Sequence, residues 1–398
     1  MPDQGVIYID AVELQNKRIL LRDDLNVSMN PDATIADDAR LRQSLPTIQH
    51  LLKNGNKLII ISHLGRPKAR EEKYSLKPVG KALQAYLEGY TVTVIDDFLT
   101  ADPGVFQAQK NNEVFLLENI RYYPEEKQND AAFVKKLAAL ADVYVNDAFG
   151  VCHRTDASVV GLPHEIPSYG GLLLQKEITM ISKILKDPQK PIVALLGGAK
   201  ISTKINLIDR LLEIADHLII GGGLANTFLS AQGLEIGKSF NEYDMAETAR
   251  RLLFLAEQKH TSIVLPLDVV VTNDGEEKGK SIIKNVKDVT KNDQILDIGP
   301  ETQAKFGAII AKGKTIVWNG PVGLIENPDF RRGTDFIYYA ITENQEAISI
   351  VGGGDTLAAI SKKEYLDKIT HISTGGGAML EFIEKGTLPG IEALKAAG

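Results

Sequence analysis

Basic side chains recur at similar places in the first half of this 398-residue chain, next to short apolar segments or just before a helical pattern. They are Arg22, Arg40, His63, Arg66, Arg121, His153 and Arg154. The planar guanidinium group of arginine binds carboxylate and phosphate groups through two parallel hydrogen bonds. A surface ion pair explains any one of these arginines as well. Their shared position predicts that together they bind one small polyanion.

Glycine replaces arginine after the apolar segments of the second half. The glycine runs are Gly197-Gly198, Gly221-Gly222-Gly223, Gly352-Gly353-Gly354 and Gly375-Gly376-Gly377. Glycine between a strand and a helix lets a ligand approach the backbone closely, and the free N–H groups at a helix N-terminus favour phosphate. One such turn is also typical of ordinary strand–helix packing, but four in one half of the chain indicate a nucleotide site.

Two lysines and one aspartate strengthen the nucleotide hypothesis. Lys200 and Lys204 follow the first glycine run, and they share one face if a helix starts near Ala199. Two cations beside a glycine turn suit the phosphates of ATP. Asp355, followed by Thr356, comes directly after the third glycine run, where a carboxylate is suited to bind a Mg²⁺ ion that bridges phosphates.

The elements that must position these residues are short strands and helices in alternation. About ten apolar segments without polar alternation, typical of strands covered on both faces, alternate with segments of helical period. This order predicts parallel sheets, and ten strands favour two α/β lobes over one sheet. The region 163–189 combines prolines and glycines with a helical pattern, which makes it the best lobe boundary. Ligands bind at the carboxyl ends of parallel strands, where the arginines and glycines stand.

Net charge, apolar runs and cysteine content limit the partners and the compartment that we expect for this protein. The net charge of −7 argues against a broad nucleic-acid or anionic-membrane surface, and no apolar run is long enough for a transmembrane helix. The first ten residues lack the apolar core of a signal peptide. The single cysteine, Cys152, excludes internal disulfides and fits a reducing compartment, so we expect a cytoplasmic protein.

Three functions remain open on the residues alone. Phosphoryl transfer between an anion and a Mg-nucleotide needs positioning and charge neutralisation, which this set supplies. A nicotinamide-dependent dehydrogenase also uses glycine turns, but no Gly-x-Gly-x-x-Gly fingerprint is present. A non-enzymatic two-lobed anion-binding protein would also carry converging arginines. The lysine pair and Asp355 favour ATP.

At these residues the sequence resembles the phosphoglycerate kinase family, from about residue 17 to about residue 394. The strings that carry the resemblance in the first half are Ser62-His63-Leu64-Gly65-Arg66-Pro67 and Asn146-Asp147-Ala148-Phe149-Gly150. Those in the second half are Leu196-Gly197-Gly198-Ala199-Lys200, Trp318-Asn319-Gly320-Pro321-Val322-Gly323, Val351-Gly352-Gly353-Gly354-Asp355-Thr356 and Ser373-Thr374-Gly375-Gly376-Gly377-Ala378.

The resemblance implies an α/β fold of two Rossmann-like lobes with parallel sheets. It implies an N-terminal lobe over residues 1–171 that binds 3-phosphoglycerate or 1,3-bisphosphoglycerate, and an inter-lobe helix over 172–189. A Mg-nucleotide lobe would cover 190–376, and residues 377–398 would pack back on the first lobe. The implied reaction is reversible transfer of a phosphoryl group from 1,3-bisphosphoglycerate to ADP, in line and after hinge closure. A monomer without nucleic-acid or membrane partners is expected.

The resemblance also implies residue roles. Arg40 and Lys200 are the expected catalytic residues. The expected substrate-binding residues are Asp24, Asn26, Arg40, His63, Leu64, Gly65, Arg66, Arg121 and Arg154. The expected nucleotide-binding residues are Gly198, Ala199, Lys204, Gly222, Gly223, Gly299, Asn319, Glu326, Gly352, Gly353, Gly354, Asp355 and Thr356. Asp355 would bind Mg²⁺, Glu326 the ribose, and the loop Gly375-Gly376-Gly377 would face the transferring group.

Asp23 departs from the family pattern, which usually has an apolar or small residue at that position. Side chains alternate between faces along a strand, so Asp24 and Asn26 share one face and Asp23 lies on the other. We therefore expect the Asp23 carboxyl group to point away from the ligand. Ser28 and the pair Thr155-Asp156 also depart from the pattern.

Overall fold

The computed structural model describes residues 5–273, 280–360 and 364–397, apart from the side chain of Asp355. The strands are β1 (Arg18–Arg22), β2 (Ser28–Met29), β3 (Ile35–Asp37), β4 (Lys57–Ile61), β5 (Thr91–Ile95), β6 (Glu113–Leu117), β7 (Val143–Asn146), β8 (Ser168–Gly170), β9 (Ile192–Leu196), β10 (His217–Ile220), β11 (Ser262–Val264), β12 (Asp268–Thr272), β13 (Ile282–Asn285), β14 (Gln294–Ile298), β15 (Thr315–Asn319), β16 (Ile348–Gly352) and β17 (His371–Ser373). The α-helices are α1 (Ala39–Lys53), α2 (Lys77–Tyr86), α3 (Pro103–Gln107), α4 (Pro124–Gln128), α5 (Ala131–Ala138), α6 (Leu172–Lys186), α7 (Ile205–Ile214), α8 (Gly222–Ala231), α9 (Ala246–Gln258), α10 (Pro300–Ile310), α11 (Arg332–Glu343), α12 (Gly354–Ala359), α13 (Gly376–Lys385) and α14 (Pro389–Ala397).

The chain forms two compact units. The first unit runs to Thr179 and includes the residues from Thr387 onward, and the second runs from Met180 to Gly386. The first division falls inside α6, so this helix belongs partly to each unit. The second falls just after α13, which packs on α7 and β16 within the second unit. Residues 377–386, which the resemblance assigned to the returning segment, therefore belong to the second unit.

The first unit is built on a six-stranded parallel sheet with the order β5-β6-β4-β1-β7-β8. The central strand β1 is apolar on both faces, and Ile19, Leu20 and Leu21 are fully buried. Arg22 is in register with Ile61 of β4 and Asn146 of β7. The segments that follow these strands therefore leave the sheet at one edge, and they carry Asp24, His63 and Asp147.

The second unit contains a six-stranded parallel sheet with the order β11-β10-β9-β15-β16-β17. Asn319 at the end of β15 is in register with Leu196 on one side and Gly352 on the other. The glycine runs that follow β9, β10, β16 and β17 consequently meet at one edge of this sheet. A smaller antiparallel sheet, β13-β12-β14, belongs to the same unit.

The predicted fold class, two α/β lobes with parallel sheets joined by a helix, is confirmed. Each of the apolar segments read from the sequence lies on a strand. The antiparallel sheet and the edge strand β5 were not anticipated, because β5 alternates between exposed and half-buried residues and lacks a continuous apolar run. No helix in the described part of the chain is long and apolar enough to cross a membrane.

Candidate active site

A cluster of positive charge surrounds His63 in the first unit; this basic cluster comprises Arg22, Arg40, His63, Arg121 and Arg154. Burial lowers the pKa of His63 well below its usual value, and the charges of Arg121, Arg22, Arg40 and Arg154 lower it further. Four arginines from separate segments therefore act on one buried imidazole. Since both causes oppose protonation, His63 is neutral at pH 7.

Arg22 is fully buried and held by the protein itself. Its Nε donates to the Ser158 hydroxyl at 2.8 Å, and its Nη1 donates to the Asp23 carbonyl oxygen. Its Nη2 lies 3.3 Å from Nδ1 of His63. The amide and the hydroxyl group of Ser158 in turn donate hydrogen bonds to the buried carboxyl group of Glu126. Arg22 therefore contributes charge to the basic cluster, while its donors are occupied inside the core.

Arg121 and Arg154 carry donors that the described residues do not satisfy. Burial, followed by the charges of Arg154 and Arg22, lowers the pKa of Arg121 to about 10. Its Nη1 donates to the carbonyl oxygen of Gly65 at 2.8 Å, but its Nε and Nη2 are buried without a hydrogen-bond partner in the described ranges. The same is true of Nε of Arg154. Unsatisfied buried guanidinium donors are costly unless an oxyanion accepts from them.

Short-range contacts hold the other expected substrate residues. Asp24 forms an ion pair with Arg40, and its carboxylate lies 3.8 Å from Nδ1 of His63. The Asn26 side chain accepts a hydrogen bond from the Gly65 amide at 2.8 Å, which ties the segment after β1 to the segment after β4. Asp23 is buried next to Asp147.

The remaining two expected substrate residues differ in exposure. Leu64 is buried, and its carbonyl oxygen accepts from the Asn119 side chain at 2.7 Å. Arg66 lies at the surface. Arg66 is therefore exposed to solvent, whereas Arg22 and Arg121 of the basic cluster are buried.

A cavity of about 250 Å³ opens in the second unit. Backbone from the glycine turns lines one side, through Gly198, Ala199, Gly222 and Gly223. Apolar side chains, among them Val269, Ile298, Val322 and Leu324, line most of the rest. An apolar cavity bordered by glycine backbone suits a flat aromatic ring attached to a polar group.

Lys200 and Lys204 lie in the turn that follows the cavity-lining residues Gly198 and Ala199, and no helix starts near Ala199, which was the condition for a shared helical face. Helix α7 begins at Ile205, with Lys204 as its N-cap residue, and Lys200 is exposed in the bend before it. The two lysines therefore do not share a helical face. The Lys204 Nζ lies 3.2 Å from Oδ1 of Asn319, whose Nδ2 donates to the Gly352 carbonyl oxygen at 3.0 Å.

The third and fourth glycine runs pack against each other. Gly353 has a φ of +93°, and a Cβ on Gly376 would lie 2.6 Å from the Cα of Gly353. A side chain at Gly376 is thus excluded by backbone, and the close approach keeps both runs beside Asn319. Gly375 is the N-cap of α13, which begins with Gly376 and Gly377.

Other expected nucleotide residues have different surroundings. The Thr356 hydroxyl donates to the Gly352 carbonyl oxygen at 2.6 Å and accepts from the Gly320 amide at 2.9 Å, so it is engaged with backbone. A Cβ on Gly299 would meet the carboxyl group of Asp268, and Gly299 does not line the cavity. Glu326 is exposed and also lies outside the lining. The Asp355 side chain lies outside the described part of the structure, although its backbone lies in α12.

Sequence reasoning missed three residues near the cavity. Asn226 of α8 and Phe240 line it. Glu242 accepts hydrogen bonds from the Ser202 amide at 3.0 Å and the Ser202 hydroxyl at 2.5 Å, which anchors the turn that carries Lys200. About forty residues separate Glu242 from this turn, and no local spacing links them, so only the fold could identify the contact.

Two α/β units, one with unsatisfied guanidinium donors and one with lysines and glycine turns around an apolar cavity, define a nucleotide-dependent phosphotransferase. The model of the phosphoglycerate kinase family matches residues 9–386. A phosphoglycerate kinase from Dictyoglomus turgidum is 46% identical over 396 residues, which cover 99% of this chain and 100% of that protein. One from Legionella pneumophila is 46% identical over 394 residues, which cover 98% of each chain.

Solved structures give the same result. A structure of phosphoglycerate kinase from Coxiella burnetii has a TM-score of 0.86 and 41% identity, covering 98% of this chain and 99% of that chain. One from Pyrococcus horikoshii has a TM-score of 0.85 and 32% identity at the same coverage. The chain therefore belongs to the phosphoglycerate kinase family, as its resemblance implied, and it is a kinase.

Proposed function

We propose that the first unit binds 3-phosphoglycerate or 1,3-bisphosphoglycerate, that the second binds Mg-ATP or Mg-ADP, and that the phosphoryl group passes directly between them. The reaction is the reversible conversion of 1,3-bisphosphoglycerate and ADP to 3-phosphoglycerate and ATP in glycolysis. The observation that carries the proposal is the pair Arg121 and Arg154, whose buried donors lack acceptors in the described residues. A phosphate or carboxylate group of the triose supplies those acceptors.

Arg40 is the proposed stabiliser of the transferring group. Its side chain is about one-quarter exposed and is oriented by the buried carboxylate of Asp24, so it combines access with a defined position. A cation beside the transferring oxygens stabilises charge that is spread over them in the transition state. Asp24, Asn26, His63 and Gly65 hold the surrounding segments, and neutral His63 adds a hydrogen-bonding group without a second charge.

Lys200 and Lys204 are the proposed cations at the nucleotide end. Exposed Lys200 neutralises the phosphoryl oxygens in transit, and Lys204 contacts the phosphate chain from its position next to Asn319. The N–H groups of the glycine turns add donors. The base enters the apolar cavity beside Gly222 and Gly223.

Mg²⁺ enters as part of the nucleotide substrate. No group of three or more His, Cys, Asp or Glu residues in the described ranges forms a metal site by itself. This fits Mg²⁺, which binds through one or two carboxylates together with substrate phosphates and water. Asp355, next to the glycine run after β16, is the proposed carboxylate ligand.

The reaction needs no general base. The acceptor in either direction is an ionised carboxylate or phosphate oxygen, so no proton must be removed before transfer. Protein side chains supply position and positive charge. A cytoplasmic monomer without nucleic-acid or membrane partners completes the proposal, in keeping with the acidic balance and the buried thiol of Cys152.

A coupled assay of ATP turnover that depends on 3-phosphoglycerate tests the proposal. We expect Arg40→Ala or Lys200→Ala to lower kcat by a factor on the order of 10³, because each removes a cation that acts mainly in the transition state. Arg42→Ala is the matched control, since Arg42 lies on the same helix with 59% exposure and should leave kcat unchanged. Near-normal kcat in either of the first two variants contradicts its assigned role.

A further inference from the structure

The cavity of the second unit is lined by three polar side chains that the family resemblance did not identify, Asn226, Gln294 and Asp297. Asn226 lies in the interior of α8, is only 2% exposed, and lines the cavity. A buried amide in an apolar cavity is unfavourable unless its donors and its acceptor are satisfied.

The orientation of this amide follows from its contact with the next loop. Nδ2 of Asn226 donates to the carbonyl oxygen of Phe240 at 3.1 Å. The nitrogen therefore points at Phe240, and Oδ1 points the other way. In the described ranges Oδ1 accepts no hydrogen bond, so the cavity wall presents one acceptor that a ligand can use.

Asp297, also in the lining, is already engaged with backbone. One oxygen of its buried carboxyl group accepts from the Ile298 amide at 2.8 Å, and the other accepts from the Gly333 amide at 2.8 Å. Asn226 thus differs from Asp297 because its acceptor is unused.

Phe240 forms a second wall of the same cavity. Its side chain is 47% exposed, although a phenyl ring is usually buried. Its Cδ1 lies 3.3 Å from the position of a Cβ on Gly223, so the ring borders the glycine turn closely. A planar base between this ring and the apolar wall gains stacking energy whatever its substituents.

We propose that Asn226 makes the nucleotide site selective for 6-aminopurines, with Oδ1 accepting a hydrogen bond from the exocyclic amino group of the base, while Phe240 stacks on the ring without discriminating. The inference rests on the proposed nucleotide role of this unit. The amide is held by Phe240 in the orientation that presents the acceptor. A purine without the 6-amino group leaves that acceptor unpaired in the filled cavity.

The test compares ATP with purine riboside 5′-triphosphate, which differs from ATP only in lacking the 6-amino group. For the unmodified protein we expect the KM for ATP to be about 5- to 10-fold lower, the usual effect of one neutral hydrogen bond, at similar kcat. In Asn226→Ala the KM ratio of the two nucleotides falls to about 1. In Phe240→Leu the KM rises for both nucleotides and their ratio is retained.

Asn226→Leu is close to asparagine in volume but has no acceptor, so it should also lose the ATP preference, which provides a second variant if Asn226→Ala is unstable. A ratio near 1 in the unmodified protein overturns the inference, and so does a ratio that survives Asn226→Ala. These results are separate from failure of the proposed function, which would appear as absence of turnover dependent on 3-phosphoglycerate with either nucleotide.

Discussion

Asp23→Asn is expected to stabilise the protein at alkaline pH, because Asp23 places a carboxyl group in the core beside a second one. Asp23 is 1% exposed and Asp147 is fully buried. Oδ1 of Asp23 accepts from the Asp24 amide at 2.8 Å, whereas Oδ1 of Asp147 accepts from the amides of Leu173 and Leu174 at the start of α6. Oδ2 of each is buried and has no partner among the described residues.

Both carboxyl groups resist ionisation. Burial, and secondarily Asp147, raises the pKa of Asp23 well above its usual value. Burial raises the pKa of Asp147 to about 6, even though backbone donors oppose the shift. Each carboxyl group therefore binds its proton more tightly in the folded than in the unfolded protein.

The sign of the pH dependence follows from these raised pKa values. The folded protein loses stability as the pH rises from about 4, the unfolded pKa, through the raised folded pKa, and above it the full cost applies. Asparagine at position 23 keeps the acceptor for the Asp24 amide and cannot ionise. We therefore expect a gain at pH 8 of about 1–3 kcal/mol, the usual cost of one buried unsatisfied polar group, and almost none near pH 4.

Thermal unfolding between pH 5 and pH 9, followed by circular dichroism, measures this gain. At about 2–4 °C per kcal/mol for a unit of this size, Asp23→Asn should raise the unfolding temperature at pH 8 by about 2–12 °C. The difference should shrink steadily toward pH 5. Asp96→Asn is the control, because Asp96 is 70% exposed and its replacement should change little. A gain that does not vary with pH, or a loss at pH 8, refutes the reasoning.

Two further predictions concern the sites themselves. Arg121→Lys should raise the KM for 3-phosphoglycerate by about 10-fold or more with a smaller effect on kcat, because an ammonium group cannot replace the guanidinium fork; an unchanged KM in steady-state assays would contradict a binding role. Gly376→Ala should lower the unfolding temperature and abolish most of the turnover, since the new Cβ would meet the Cα of Gly353 at 2.6 Å. Gly377→Ala is its matched control, because a Cβ there meets nothing within 4 Å, and equal thermal stability of the two variants would show that the close approach is unimportant.

Local pattern was sufficient for the buried parallel strands and most of the principal helices. Continuous apolar segments correspond to buried parallel strands because both faces of such a strand are covered, so each segment carries its own signal. Helices α1, α6, α9 and α11 carry an equally local period of apolar residues. Strands with an exposed face, such as β5, lack that signal and were missed.

The positions of the candidate site residues along the chain were also readable, because ligands meet parallel sheets at the ends of their strands. Sequence alone therefore placed Arg121, His63 and the glycine runs at strand ends. It did not show that Glu242, about forty residues away, holds the turn before α7, because no local spacing links the two.

Sequence by itself determined the α/β class, the family and the residue types available for phosphoryl transfer, since all of these depend on local order along the chain. The tertiary structure decided which polar side-chain groups can still form hydrogen bonds with a ligand. The donors of Arg22 are bonded within the core, whereas Arg121 has donors and Asn226 an acceptor that no described residue satisfies. Burial and hydrogen-bond satisfaction depend on neighbours that are distant in the chain, so only the packed fold determines them.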